Sequence, residues 1–179
     1  MSIWSILAAP LLMSNDLRRI TAEQRKILLN RDVIAIDQDE LGILGKRVLK
    51  KNKIEVWLKP VTPKVNGFFS FAVVYFNRNT LGSTIQVIVF TGNLDKILRK
   101  FTEYSQKNSK MFHLQVSFSL QEILANYDTA DMYTVHDLWN NSQILTKLED
   151  TDDLVLKVNP SGVAMVKLVP QDIASGINY

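Results

Sequence analysis

The sequence contains no cysteine. That excludes disulfides, thiolate metal sites and a cysteine nucleophile. It leaves the compartment open, because exported chains without bridges exist. Histidine is scarce, at two residues, His113 and His136. They stand too far apart for a ligand pair, and no Ser-His-Asp spacing stands out. A large excess of either charge is also missing: the net charge is +3 and the pI about 9.1. Basic residues gather at Lys46, Arg47, Lys50, Lys51 and Lys53, and again between Lys96 and Lys110. Neither cluster carries an aromatic-studded basic motif, so solvated faces are expected and no nucleic-acid partner. No apolar run reaches the length of a membrane span, and no membrane insertion is expected. Met1 to Met13 has no positive n-region, and Trp4 and Pro10 fit poorly in an h-region, so it does not read as a signal peptide. There is no internal repeat and no low-complexity tract.

What is present is ordinary globular composition: 179 residues, 46% hydrophobic and 22% charged. The length suits one domain, or one domain plus a piece of another. The opening stretch reads as part of an α/β barrel. Ser2 to Ala9 has the look of final helical turns, stopped by Pro10. Leu11 to Met13 reads as a short buried strand, and Ser14-Asn15-Asp16 as a polar turn. Thr21-Ala22-Glu23-Gln24 is a capping box opening a helix, with Asn30 placed to stop it. Val33 to Ile36 reads as extended. Asp37-Gln38-Asp39-Glu40 is an acidic turn, and a domain boundary is expected near residue 40.

After Gly45 the apolar period changes from 3.6 to 2. Ile54, Val56 and Leu58 alternate with Glu55, Trp57 and Lys59, as in a strand. Pro60 to Gly67 reads as a turn region. Phe68 to Phe76 is nearly all apolar and should be a strand buried on both faces. Thr84 to Phe90 follows as a strand. Near 93–106 the period returns to that of a helix, packed on the sheet or, as the alternative, lying on a membrane surface. Met111 to Phe118 is a strand, and Ser119 to Glu122 is a second capping box. Strands follow at Met132 to Val135, Ile144 to Leu148 and Leu154 to Val158. Asn159-Pro160-Ser161-Gly162 is a turn, after which Val163 to Val169 should pair back as a hairpin.

Several motifs carry a resemblance. They are the opening run Met1 to Arg18, then Asp32-Val33-Ile34-Ala35-Ile36-Asp37-Gln38-Asp39, Glu55-Val56-Trp57, Ala72-Val73-Val74-Tyr75-Phe76-Asn77-Arg78, Val135-His136-Asp137-Leu138-Trp139 and Val158-Asn159-Pro160-Ser161-Gly162-Val163. Together they resemble the α-galactosidase (melibiase) group of retaining glycoside hydrolases, which includes the α-N-acetylgalactosaminidases. The resemblance is strong over 1–90, good over 130–170 and absent over about 91–112. It implies a mainly β chain, in which an antiparallel β-sandwich (residues 41–179, with an inserted helix) follows the last β/α unit (residues 1–40) of a TIM barrel. It implies cleavage of terminal α-linked galactose or N-acetylgalactosamine by the full-length enzyme, no cofactor, and a homodimer. The family's nucleophile lies in a Lys-x-Asp motif, and no Lys-x-Asp occurs here. The expectation is therefore that the catalytic and sugar-binding residues precede Met1 and that this chain holds none. The alternative is a non-catalytic β-sandwich module that binds carbohydrate or another protein.

The individual candidates fit that expectation. Asp16 falls where a barrel strand ends, the place of catalytic groups. Beside Ser14 and Asn15 it reads instead as a turn residue paired with Arg18 or Arg19. The carboxylate groups Asp37, Asp39, Glu40 and Asp150, Asp152, Asp153 lack the glycine and distant glutamate of an EF-hand loop and read as solvated turns, with Ca²⁺ as the alternative. Trp57 and Trp139 could stack on a sugar, but core packing is favoured. Asn140-Asn141-Ser142 is an N-glycosylation sequon. An orphan barrel strand is an aggregation hazard, so deleting residues 1–40 is expected to raise solubility.

Overall fold

The computed structural model describes residues 1–91, 115–148 and 153–171. Among the described residues, nine strands form two sheets. Six of them, β1 (Lys46–Lys51), β2 (Ile54–Val65), β3 (Phe68–Asn77), β9 (Val163–Pro170), β6 (Tyr133–Asp137) and β7 (Gln143–Leu148), lie side by side in that order. The second sheet runs β5 (Gln115–Ser119), β4 (Ile85–Phe90), β8 (Asp153–Val158). Period-2 alternation builds the core between them. Ile54, Val56 and Leu58 of β2 and Phe71, Val73 and Tyr75 of β3 face Val87 and Val89 of β4 and Leu154, Leu156 and Val158 of β8, all buried. Tyr75 is fully buried, and burial pushes its phenol well above the usual tyrosine range.

Four helices complete the described residues: α1 (Ser2–Ile6), α2 (Ala22–Leu28), α3 (Arg31–Asp37) and α4 (Leu120–Ile123). Both expected capping boxes form. In α2 the Thr21 hydroxyl accepts from the Gln24 N–H at 3.2 Å, and Gln24 Oε1 accepts from the Thr21 N–H at 3.0 Å. In α4, Ser119 and Glu122 do the same. Because β3 is buried on both faces, something must cover its outer side. A second core does so: Ile6 of α1 and Val33 and Ile36 of α3 pack on Val61, Ala72, Val74, Leu138 and Met165 of the six-stranded sheet.

Four expectations are corrected. Leu11 to Met13 is not a strand: among the described residues no neighbour offers it a hydrogen-bonding ladder, and Leu12 and Met13 are exposed. Val33 to Ile36 is helical. Asn30 follows the end of α2, as expected, and also caps the start of α3, with Oδ1 accepting from the Val33 N–H at 3.0 Å; a short apolar run is ambiguous until its packing face is known. Pro60 to Val65 continues β2 through a register shift between Val61 and Lys64, leaving only Asn66-Gly67 as the turn. β8 and β9 are joined by the expected turn but do not pair: β8 bonds to β4, and β9 to β3 and β6, so the connection crosses between sheets. The sandwich is otherwise antiparallel as expected, with β4 and β5 the one parallel pair among the described strands. The helix expected near 93–106, and residues 111–114 of the strand expected after it, lie outside the described residues.

Gly45 sets how closely α1 approaches β2. Its N–H donates to the Ile6 carbonyl at 2.8 Å. A Cβ there would meet Ile6 Cγ2 and lie 2.6 Å from the Ile6 oxygen and 3.1 Å from the Leu58 oxygen. Overpacking of this kind costs about 1–3 kcal/mol. Gly45→Ala should therefore lower the thermal midpoint by about 2–12 °C, at roughly 2–4 °C per kcal/mol for a chain of this size. Gly42→Ala has nothing within 4 Å at its added Cβ, so it meets only the strain of a φ of +61° and should lower it less. Equal shifts in the two variants would show that the α1 contact is not tight.

Candidate functional site

Asp16 stands in the turn before α2. Its carboxylate accepts from the Arg18 N–H at 3.0 Å and from Arg18 Nε at 2.9 Å. The Arg18 guanidinium holds the Asp16 carboxyl below its usual range. A shallow groove of about 460 Å³ runs beside it, lined by Asn15, Asp16, Arg19, Ile20, Gln24, Ile27 and Leu28. Asp16 is its one acid. Retaining glycoside hydrolysis needs two carboxyl groups about 5–5.5 Å apart, and a single exposed, ion-paired carboxylate does not supply that pair. Asp16 is thus the turn residue the sequence favoured, with Arg18 as its partner.

A dense arrangement of charge lies where α3 meets the six-stranded sheet. Lys59 of β2 is completely buried. Its ammonium donates to the Ile36 carbonyl and, at 3.4 Å, to the Asp37 carbonyl, so it caps the C-terminal end of α3, where the helix dipole favours a cation. Burial pushes the Lys59 ammonium below its usual range, and Asp39 and then Asp37 oppose that shift. Burial pushes the Asp37 carboxyl up, with Lys59 opposing, and Asp37 Oδ1 is buried without a hydrogen-bond partner. Asp39 accepts from the Thr62 N–H at 2.9 Å and from Thr62 Oγ1 at 2.8 Å. Half-buried Lys167 of β9 completes the set: burial lowers it, and Asp39 and Asp32 counter. Asp37 and Asp39 are therefore not solvated turn residues but part of the joint that fastens the helices to the sheet. Among the described residues no group of three or more His, Cys, Asp or Glu side chains is placed to hold a metal.

The aromatic candidates separate. Trp57 packs on the second core, and its Nε1 donates to Glu55 at 3.2 Å. Glu55 also accepts from Arg47 at 3.2 Å. The Trp139 indole packs there too and donates to Ser2 Oγ at 3.0 Å. Trp139 also lines a groove of about 640 Å³, together with Asp137, Thr146, Lys157 and Val163. His136 sits in β6 with Nδ1 3.1 Å from the Ser142 carbonyl. Asp153 begins β8. His113, Asp150 and Asp152 lie outside the described residues. Sequence reasoning missed Lys59, Lys167 and Gly45. The readable signal for Lys59 was a lysine in the outward register of a strand whose continuation, Val61, is apolar.

Comparison with known proteins follows the same division. Residues 1–39 match the family profile described as alpha galactosidase A, and residues 51–168 match the alpha galactosidase C-terminal beta sandwich domain. The chain is 34% identical over 172 residues to the α-N-acetylgalactosaminidase of Gallus gallus, covering 96% of this chain and 33% of that protein. It is 38% identical over 96 residues to α-galactosidase A of Homo sapiens, covering 54% of this chain and 21% of that one. It thus spans about a third of the first relative's length. Among solved structures, α-galactosidase I from Mortierella vinacea aligns with a TM-score of 0.66 at 20% identity, over 95% of this chain and 34% of that chain. The α-galactosidase from Saccharomyces cerevisiae with raffinose aligns with a TM-score of 0.66 at 17% identity, over 95% and 42%. These two show a shared fold.

Proposed function

The chain belongs to the α-galactosidase family, and from that membership we propose that it is the C-terminal portion of a retaining glycoside hydrolase that removes terminal α-linked galactose or N-acetylgalactosamine. In this reading residues 1–40 close the barrel, residues 41–179 form the sandwich, and the catalytic carboxylates belong to sequence not included here. One observation carries it. Within the segment matched to the alpha galactosidase A profile, Leu12, Met13 and Leu17 are 77%, 53% and 61% exposed. An apolar run of that exposure is what a missing neighbouring layer would cover. Residues 1–179, purified, are expected to release no aryl alcohol from aryl α-galactosides or aryl α-N-acetylgalactosaminides. Turnover above the buffer rate by pure protein would overturn the proposal.

A second reading is a stand-alone β-sandwich module that binds carbohydrate or another protein. It is favoured by the Trp139 groove, lined also by Asp137 and Lys157, and by the second core, in which helices of this chain cover part of the outer sheet face. An immunoblot of source extract with antibody to residues 41–179 separates the two. A band at more than twice 20 kDa supports the hydrolase portion, and a band at the 20.4 kDa of this chain supports the module.

A further inference from the structure

The turn joining β6 to β7 holds the one Asn-x-Ser/Thr sequence in the chain whose middle residue is not proline, Asn140-Asn141-Ser142; Asn159-Pro160-Ser161 is barred by its proline. Asn140 and Asn141 are exposed. The Asn140 carboxamide nitrogen donates to the side-chain oxygen of Gln143, the first residue of β7. Both side chains are exposed, so joining a sugar to that nitrogen disturbs one surface side-chain hydrogen bond and no buried one. The strand that leaves this turn is a second, independent observation. β7 is the last strand of the six-stranded sheet, and along it Ile144 and Leu145 are 57% and 40% exposed. An edge strand with apolar side chains is a template for pairing with another chain unless something blunts it.

We propose that Asn140 is an N-glycosylation site and that its glycan shields the β7 edge. The donor is an oligosaccharide on a polyprenyl pyrophosphate. The Asn140 amide nitrogen forms a bond to the sugar C1, the C1–oxygen bond to pyrophosphate breaks, the nitrogen gives up one proton, and the lipid pyrophosphate leaves. The bulky, hydrated glycan then stands at the tip of the β6–β7 hairpin, beside β7, the outermost strand of that sheet among the described residues. This inference does not depend on which glycosidase the chain belongs to.

The test uses protein immunopurified from its source and digested with peptide N-glycosidase F in heavy-oxygen water. The peptide containing residue 140 is expected to carry a heavy-oxygen aspartate there, with a matching downward gel shift. In the source organism, Asn140→Gln and Ser142→Ala should remove the shift, whereas Ser142→Thr should keep it. Native deglycosylation should raise aggregation, and Ile144→Lys should suppress that rise. An unmodified Asn140 peptide from native protein overturns the site. A glycan whose removal leaves aggregation unchanged overturns the shielding role.

Discussion

Deleting residues 1–40 is expected to lower the solubility and the thermal midpoint of the remaining chain, the opposite of what an orphan-strand reading of the sequence leads one to expect. The deletion takes away Ile6, Val33 and Ile36, and with them the cover over Val61, Ala72, Val74, Leu138 and Met165. Each fully buried side chain of this size contributes about 1.5–3 kcal/mol on leaving water. Part of that is offset by the entropy of ordering the segment, but the bare sheet face is offset by nothing. It would be a contiguous apolar patch with buried Lys59 at its margin, and such patches drive association. A loss of roughly 3–5 kcal/mol would lower the midpoint by about 6–20 °C for a chain of this length. Scanning calorimetry, light scattering and binding of a hydrophobic dye measure it. The exposed run is a separate matter. Leu12→Ser, Met13→Ser and Leu17→Ser together should raise solubility and leave the midpoint unchanged, because those side chains touch no core. A deletion variant as soluble and as stable as the full chain would show that the second core contributes nothing.

The contrast between those two experiments marks what the sequence could and could not tell. The sandwich strands were legible because their faces differ: Ile54, Val56 and Leu58 point into the inter-sheet core, and the residues between them do not. The capping boxes at Thr21 and Ser119 were legible because they are local chemistry, fixed within four residues. Pairing across the chain was not. The turn at Asn159 to Gly162 is real, yet β8 and β9 part into different sheets, since a turn sets a reversal and not the partner that each strand finds. Val33 to Ile36 has β-branched residues, which on propensity favour an extended run. The cap at Asn30 and the docking of Val33 and Ile36 on the sheet override that propensity. Asn30 is itself held by the fold, its Nδ2 donating to the Leu138 carbonyl at 3.0 Å, a contact 108 residues away that no window over the sequence contains.

Lys59 depends on the same kind of distant contact, and Lys59→Met is expected to lose about 2–3 kcal/mol, the range for a charge-assisted hydrogen bond left unmade at a buried acceptor. Methionine keeps much of the stem's packing, so the loss isolates the ammonium. Without it the Ile36 and Asp37 carbonyls have no donor from β2, and Asp37 loses the cation that opposes its upward shift. The pH dependence has a definite sign. Burial raises the Asp37 carboxyl above its unfolded value. Between those two values the folded chain holds more protons than the unfolded one, so through that window stability contributed by Asp37 rises as pH falls and is lost as pH rises. In Lys59→Met the folded value of Asp37 moves higher still, so the window widens upward and acid should restore part of the lost stability. Asp37→Asn should flatten the acid dependence in either background. In a double-mutant cycle the two substitutions should be non-additive by about 0.5–3 kcal/mol, as for side chains in one network. Thermal midpoints of the four proteins between pH 3 and 8 give all of these quantities. Parallel pH profiles, or strict additivity, would mean that Lys59 acts on α3 through the two carbonyls alone and that the Asp37 carboxylate takes no part in the joint.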